Sequence, residues 1–147
     1  MKKIIIGFIA FLALLQLIPV DKTNPPIDPE KMLSTDTTVM SLLKKSCYDC
    51  HSNETKWPEY ASIAPISFVV ASHVKDGRKA LNFSEYNTIE LFFKEIRLKR
   101  AIITINSERM ALPSYRFAHE SANLSKEEKD ILIAWFQEEL KALPPKK

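Results

Sequence analysis

Glycine is nearly missing from this chain: Gly7 and Gly77 are its only two, in 147 residues that hold nine prolines. A dinucleotide fingerprint or a P-loop needs several glycines in one short stretch, so Gly-rich phosphate cradles are excluded. The same scarcity argues against a sheet of tight hairpins, whose turns lean on Asn-Gly and Gly-X pairs. Cysteine is scarce too. Cys47 and Cys50 are the only two, too few for a disulfide-dense scaffold or for two CxxC zinc pairs. Nor does charge of one sign dominate, with 21 basic against 18 acidic residues and a net charge of +3. That balance gives no electrostatic case for nucleic acid. A hydrophobic fraction of 46% with 27% charged residues is that of a folded domain rather than a disordered one. The length holds a single domain.

What is present begins with a targeting pattern. Met1-Lys2-Lys3 is a short positive head, and Ile4 to Val20 is apolar except for Gly7, Gln16 and Pro19. A basic head before an apolar run reads as a signal peptide. The run is also about the minimum length for a membrane-spanning helix. The positive-inside rule keeps Lys2 and Lys3 in the cytoplasm and sends the rest across. No A-x-A cleavage site precedes Asp21, so residues 1–20 read as an uncleaved anchor ahead of a cleaved signal, with a buried core helix third. Either leading reading puts the domain on the periplasmic side of the inner membrane, anchored or released. No cysteine lies near the segment to carry a lipid. Without Lys2 and Lys3 the remainder is close to neutral. Charged partner surfaces then come from local patches such as Lys94, Arg97, Lys99 and Arg100.

Residues 21–35 carry Pro25, Pro26 and Pro29, which favour an extended spacer holding the domain off the membrane. From residue 36 to 143 the patterns are helical. Asp36 or Thr37 caps a first helix with Val39, Met40, Leu42 and Leu43 as apolar positions, running into Cys47. Trp57-Pro58 breaks the chain. Pro65 suits the first turn of a second helix holding Ile66, Phe68, Val69, Val70 and Val74, with Gly77 as its stop. A third helix is expected from about Thr88 to Ile105, turning Leu91, Phe92, Ile96 and Ile102 to the core. Its β-branched end is the less helical part. Residues 107–123 read as a long loop. Ser125 and Glu128 form a capping box for a last helix with Ile131, Leu132, Trp135 and Leu140, ending before Pro144-Pro145. The expected fold is all-α, a small bundle of about four helices after an N-terminal hydrophobic helix.

The chemistry lies at Cys47-Tyr48-Asp49-Cys50-His51. CxxCH is the attachment pattern of c-type haem. Two thiols three residues apart on a helical turn share a face and can add to two vinyl groups on one haem edge. The adjacent His51 is then placed to ligate the iron. Export agrees with this, because attachment occurs across the membrane. Three alternatives stay open. A thioredoxin-like CxxC expects a βαβ context that is not visible, a zinc site would need His73 and His119 at unusual spacing, and a plain disulfide needs only the two thiols. For the sixth iron ligand, Met110 in the loop Arg109-Met110-Ala111-Leu112-Pro113 leads. Met40 reads as core filling and Met32 lies in the spacer. His73, on an apolar helix, is the lesser alternative or a group beside the haem, and His119 is a further one. Tyr48, Trp57, Tyr60, Phe68, Tyr115 and Trp135 could wall a haem or simply pack the core. Arg78 and Lys79 could pair with propionates or cap a solvated helix end.

Together these residues resemble a known family, the small exported haem-binding domain proteins of bacteria, which are single-haem and c-type cytochrome-like. The matching stretches are Asn24-Pro25-Pro26, Cys47 through Thr55, Trp57-Pro58 with Tyr60, and Ile63-Ala64-Pro65 with Ser67. They continue at His73-Val74, Gly77-Arg78, Leu81 through Glu85, Met110, Leu112 through Tyr115 and Leu124-Ser125. The resemblance implies one covalent haem c, a helical domain, and His51 with Met110 as axial pair. Ala111 departs from the family's Met-Pro loop. With no acid, base or nucleophile constellation in view, the reading is an electron carrier rather than an enzyme. Its partners would be redox proteins, the haem-attachment machinery and, through the N-terminus, the membrane. The alternatives are a haem-based sensor of small ligands and a peroxidase-like enzyme with an open iron.

Overall fold

A computed structural model describes residues 1–145 and is helical throughout, with no strand among the described residues. Seven α-helices follow in order: α1 Lys2–Leu15, α2 Thr37–Ser46, α3 Tyr48–His51, α4 Ile66–Ala80, α5 Leu91–Asn106, α6 Pro113–Ala118 and α7 Lys126–Lys141. Short 3-10 turns occupy Glu59–Ser62, Phe83–Thr88 and Glu120–Ala122.

Two helix starts follow directly from their capping residues. Asp36 accepts from the Thr38 and Val39 amides at 2.9 and 3.0 Å. Ser125 and Glu128 close a reciprocal box, at 2.8 Å into the Glu128 carboxylate and 3.2 Å into the Ser125 hydroxyl. Each cap satisfies backbone donors that the first helical turn leaves open.

The core lies where α2, α5 and α7 meet. Val39, Leu42 and Leu43 come from α2, Leu98 and Ile105 from α5, and Leu132 and Phe136 from α7. Leu43, Leu98 and Leu132 are completely buried. Burying a side chain of this size contributes about 1.5–3 kcal/mol. Met40 packs at the edge of this cluster, as expected of it.

Several expectations are corrected. Gly77 does not stop α4, which runs on to Ala80. Its role is clearance: a Cβ at Gly77 would overlap the Cys50 carbonyl, so only glycine lets α3 cross α4 there. The long loop over 107–123 contains α6 and the Glu120–Ala122 turn, because Pro113 opens a helix at its first position. The β-branched end of α5 is fully helical, since Ile105 is held in the core. Leu91, Phe92 and Ile96 do not reach that core and are exposed, as are Ile66 and Val69 of α4. Of the four α5 residues expected inside, only Ile102 packs against the core.

Helix α1 has 14 residues, about 21 Å at 1.5 Å per residue, shorter than the apolar run because the helix ends at Gln16. Its side chains are exposed except for the half-buried Leu12 and Leu15, and no described helix is long and apolar enough to cross a membrane. The Pro-rich segment is irregular and lies along the domain. Asn24 donates to the Thr55 carbonyl at 3.0 Å, and Leu33 enters the core.

Candidate functional site

A cavity of about 650 Å³ opens between two helix pairs, α3 packed on α4 and α5 packed on α7. Its size is typical of a small-molecule or cofactor pocket. Cys47, Cys50 and His51 line one wall. On α4, His73, Asp76, Gly77 and Ala80 follow the spacing of one helical face and form the next. Helix α5 supplies Phe93, Ile96, Arg97, Arg100 and Thr104, and the following loop brings Met110 and Leu112.

The motif is held by polar bonds to neighbouring segments. The His51 Nδ1 lies 2.8 Å from the Leu81 carbonyl and donates to it, leaving Nε2 as the free ring nitrogen. A second-sphere carbonyl of this kind fixes the tautomer and the ring plane of a metal-binding histidine. Burial lowers the His51 pKa below its ordinary value, against the opposing pull of the Leu81 and Gly77 carbonyls, which favours the neutral imidazole. Both cysteines are free thiols. Burial pushes Cys47 up to about 12 and Cys50 up to about 11, so neither is ionised at neutral pH.

Behind the motif, the loop Ser52 to Thr55 is tied down almost atom by atom. Ser84 accepts from the Asn53 amide at 2.9 Å, and Asn82 donates to the Asn53 side chain at 2.9 Å. The Thr55 hydroxyl donates to the Asp49 carbonyl at 2.7 Å. Arg78 spans the Ser52 carbonyl, Thr55 hydroxyl, Asn24 side chain and Thr23 carbonyl, at 2.7 to 3.1 Å. Its guanidinium is thus engaged in strapping backbone, away from the cavity. Lys79 does reach the cavity wall.

Met110 is half-buried on the cavity because the chain turns back after α5. The Arg109 and Met110 amides both donate to the Thr104 carbonyl, at 3.0 and 3.2 Å. The structure therefore brings Cys47, Cys50, His51, Met110 and His73 to one cavity. It leaves His119 outside, stacked on Tyr115 with ring centroids 4.4 Å apart and within 2.7 Å of the Tyr60 hydroxyl. Tyr115 in turn donates to Asp49 at 2.7 Å, so this aromatic group braces the motif. Among the described residues there is no cluster of three or more His, Cys, Asp or Glu that could hold a bare metal ion.

Of the aromatics expected to wall a haem, only Tyr115 lines the cavity. Tyr48 stacks on Phe83 at 5.4 Å, and Trp135 packs beside Tyr86 and Phe136. Phe93, which the sequence reading missed, takes their place. A second helical stripe on α5, at 93, 97, 100 and 104, was the available signal. The Leu81 carbonyl carried no signal at all, since a backbone acceptor has no sequence identity.

A largely apolar slot with an anchored imidazole and two thiols on one wall suits a flat apolar ring with a metal at its centre. Comparison with known families agrees. The sequence model of a family described as a haem-binding domain matches residues 10–138, and the chain belongs to that family. No curated protein and no solved structure matches the chain.

Proposed function

We propose that the chain holds one haem c, linked through Cys47 and Cys50, and carries electrons on the periplasmic side of the inner membrane. The observation that supports this best is the His51 arrangement: an imidazole with Nδ1 tied to the Leu81 carbonyl, on the same cavity as both thiols and Met110. Haem, when bound, supplies a one-electron iron couple. Each thiol would add its S–H across one vinyl C=C, sulfur to one carbon and hydrogen to the other, with no net electron transfer. His51 Nε2 and the Met110 thioether would hold the iron. The loop Ser52 to Thr55 and Arg78 keep the motif in place, which would hold the ligating residues in position in both oxidation states. The exposed apolar helix α1 with Lys2 and Lys3 ahead of it would lead the chain into the membrane as an anchor or a signal.

Absorption spectroscopy of the full chain, co-expressed with haem-attachment machinery, tests the reading. Haem should stay with the protein through denaturation and acid-acetone extraction. The oxidised protein should show a Met-to-iron charge-transfer band, and Met110→Ala should remove it. Retained haem without that band, together with ready binding of added small ligands, would favour a sensor or an open-iron peroxidase. Complete extraction of haem would defeat the covalent link.

A further inference from the structure

Helix α5 divides its surface in two. Leu98, Ile102 and Ile105 face the core, while Phe93, Ile96, Arg97, Arg100 and Thr104 face the cavity. Along the cavity stripe, the apolar residues come first and the two arginines follow within one turn. Neither arginine forms an ion pair with a described residue. The other cations once grouped with them are engaged elsewhere. Lys94 sits 3.9 Å over the Tyr86 ring, and Lys99 pairs with Glu95 at 2.6 Å. Among the described residues Asp76 is the one acidic residue on the cavity wall, with its carboxylate 3.4 Å from the Ser72 hydroxyl. Arg109 also reaches that wall, from the loop after α5, and donates to the Ser107 hydroxyl at 3.0 Å. Arg97 lies 6.0 Å from the centroid of the Phe93 ring, itself on the cavity wall, so its charge stays at the cavity. An apolar cavity with guanidiniums that lack an anionic partner on one wall is built for an apolar molecule that carries an anion.

We infer that Arg97 and Arg100 bind the two haem carboxylates and thereby fix which way the ring faces in the cavity. The inference rests on the haem reading above. On haem, the vinyl groups and the propionates occupy different edges. With the vinyl edge at the α3 thiols, the carboxylates require cations on another wall, and α5 provides them. A planar guanidinium takes a carboxylate through two parallel hydrogen bonds, which sets orientation as well as charge. Arg78, the sequence-level candidate for this role, is engaged by the backbone it straps.

The test is an equilibrium redox titration across pH on the full chain carrying Arg97→Gln with Arg100→Gln, co-expressed with haem-attachment machinery. Covalent haem should be retained, because the thioethers do not depend on the arginines. The midpoint potential should fall, since two positive charges that disfavour ferric iron are gone. The pH at which the potential begins to drop should rise by about one unit, a tenfold change in carboxylate ionisation. Arg97→Lys with Arg100→Lys should recover most of the potential, and Lys79→Gln should behave as the parent does. Two results overturn the inference while leaving haem binding intact. One is an unchanged potential and pH profile in the glutamine variant. The other is the full effect appearing in Lys79→Gln instead. Haem that is extracted from the parent chain itself overturns the haem c reading and this inference with it.

Discussion

The two sides of α5 make the most instructive comparison in the molecule. On one side Leu98 is completely buried against α7, and the neighbouring apolar residues interlock as a close-packed core. On the other, Phe93 and Ile96 are about half exposed although they belong to the same helix and the same residue classes. The core side is complete in the protein alone. The cavity side is apolar surface without protein atoms opposite it, which is what a cofactor pocket requires. An apolar residue in this chain is therefore assigned to folding or to binding by its helical phase, not by its hydrophobicity.

Substitutions can pull the two sides apart. The largest effect should come from replacing both thiols. Cys47→Ser with Cys50→Ser should abolish acid-stable haem, read by haem staining after denaturing electrophoresis, while the far-ultraviolet helical signal persists. Leu132→Ala strikes the opposite side and should cost about 2–5 kcal/mol in chemical denaturation. The haem that survives in the folded fraction should have an unaltered spectrum. Equal loss of spectrum and stability would mean that the two sides are not separable.

Gly77→Ala tests the seam between them. The added methyl meets the Cys50 backbone, which cannot swing away as a side-chain tip could. A loss of about 1–3 kcal/mol is expected from overpacking, accompanied by a lower yield of covalent haem. Ser84→Ala should cost about 1 kcal/mol, through the lost bond to the Asn53 amide. It should also broaden the low-spin signal if that loop steadies the motif.

The smallest effect is electrostatic and belongs to the core side alone. The Lys45 ammonium, 2.7 Å away, and the Ser125 amide hold the Glu128 carboxyl below its ordinary range. A depressed carboxyl pKa adds stability above the unfolded value, near 4.3, and loses it as pH falls through the folded value. Thermal melts of the parent and Glu128→Gln should therefore differ at pH 7 and converge as pH drops below about 4. Divergence growing toward acid would refute the assignment.

How much of this could be read in advance varies by residue. Asp36, Ser125 and Glu128 announce helix starts because a cap is a local interaction over three residues. CxxCH is equally local, and its two thiols and His51 do come to one wall. Gly77 reads as a helix stop in the sequence because its purpose lies in another helix that crosses it. The segment 107–123 reads as a loop because α6 is too short for periodicity to register. Arg78 and Arg97 look alike as sequence. Only packing tells that one straps the motif loop while the other faces the cavity.

The helical class, the capped starts of α2 and α7 and the CxxCH spacing are legible in the chain alone, because each depends on residues within a few positions of one another. Tertiary structure alone decided which stripe of α5 is core and which is cavity. It also decided that Leu81 supplies the carbonyl behind His51, and that Met110 and His73 share the cavity while His119 does not. Those outcomes depend on how separate helices cross. A crossing is the sum of many weak contacts between distant residues, and no short stretch of the chain carries it.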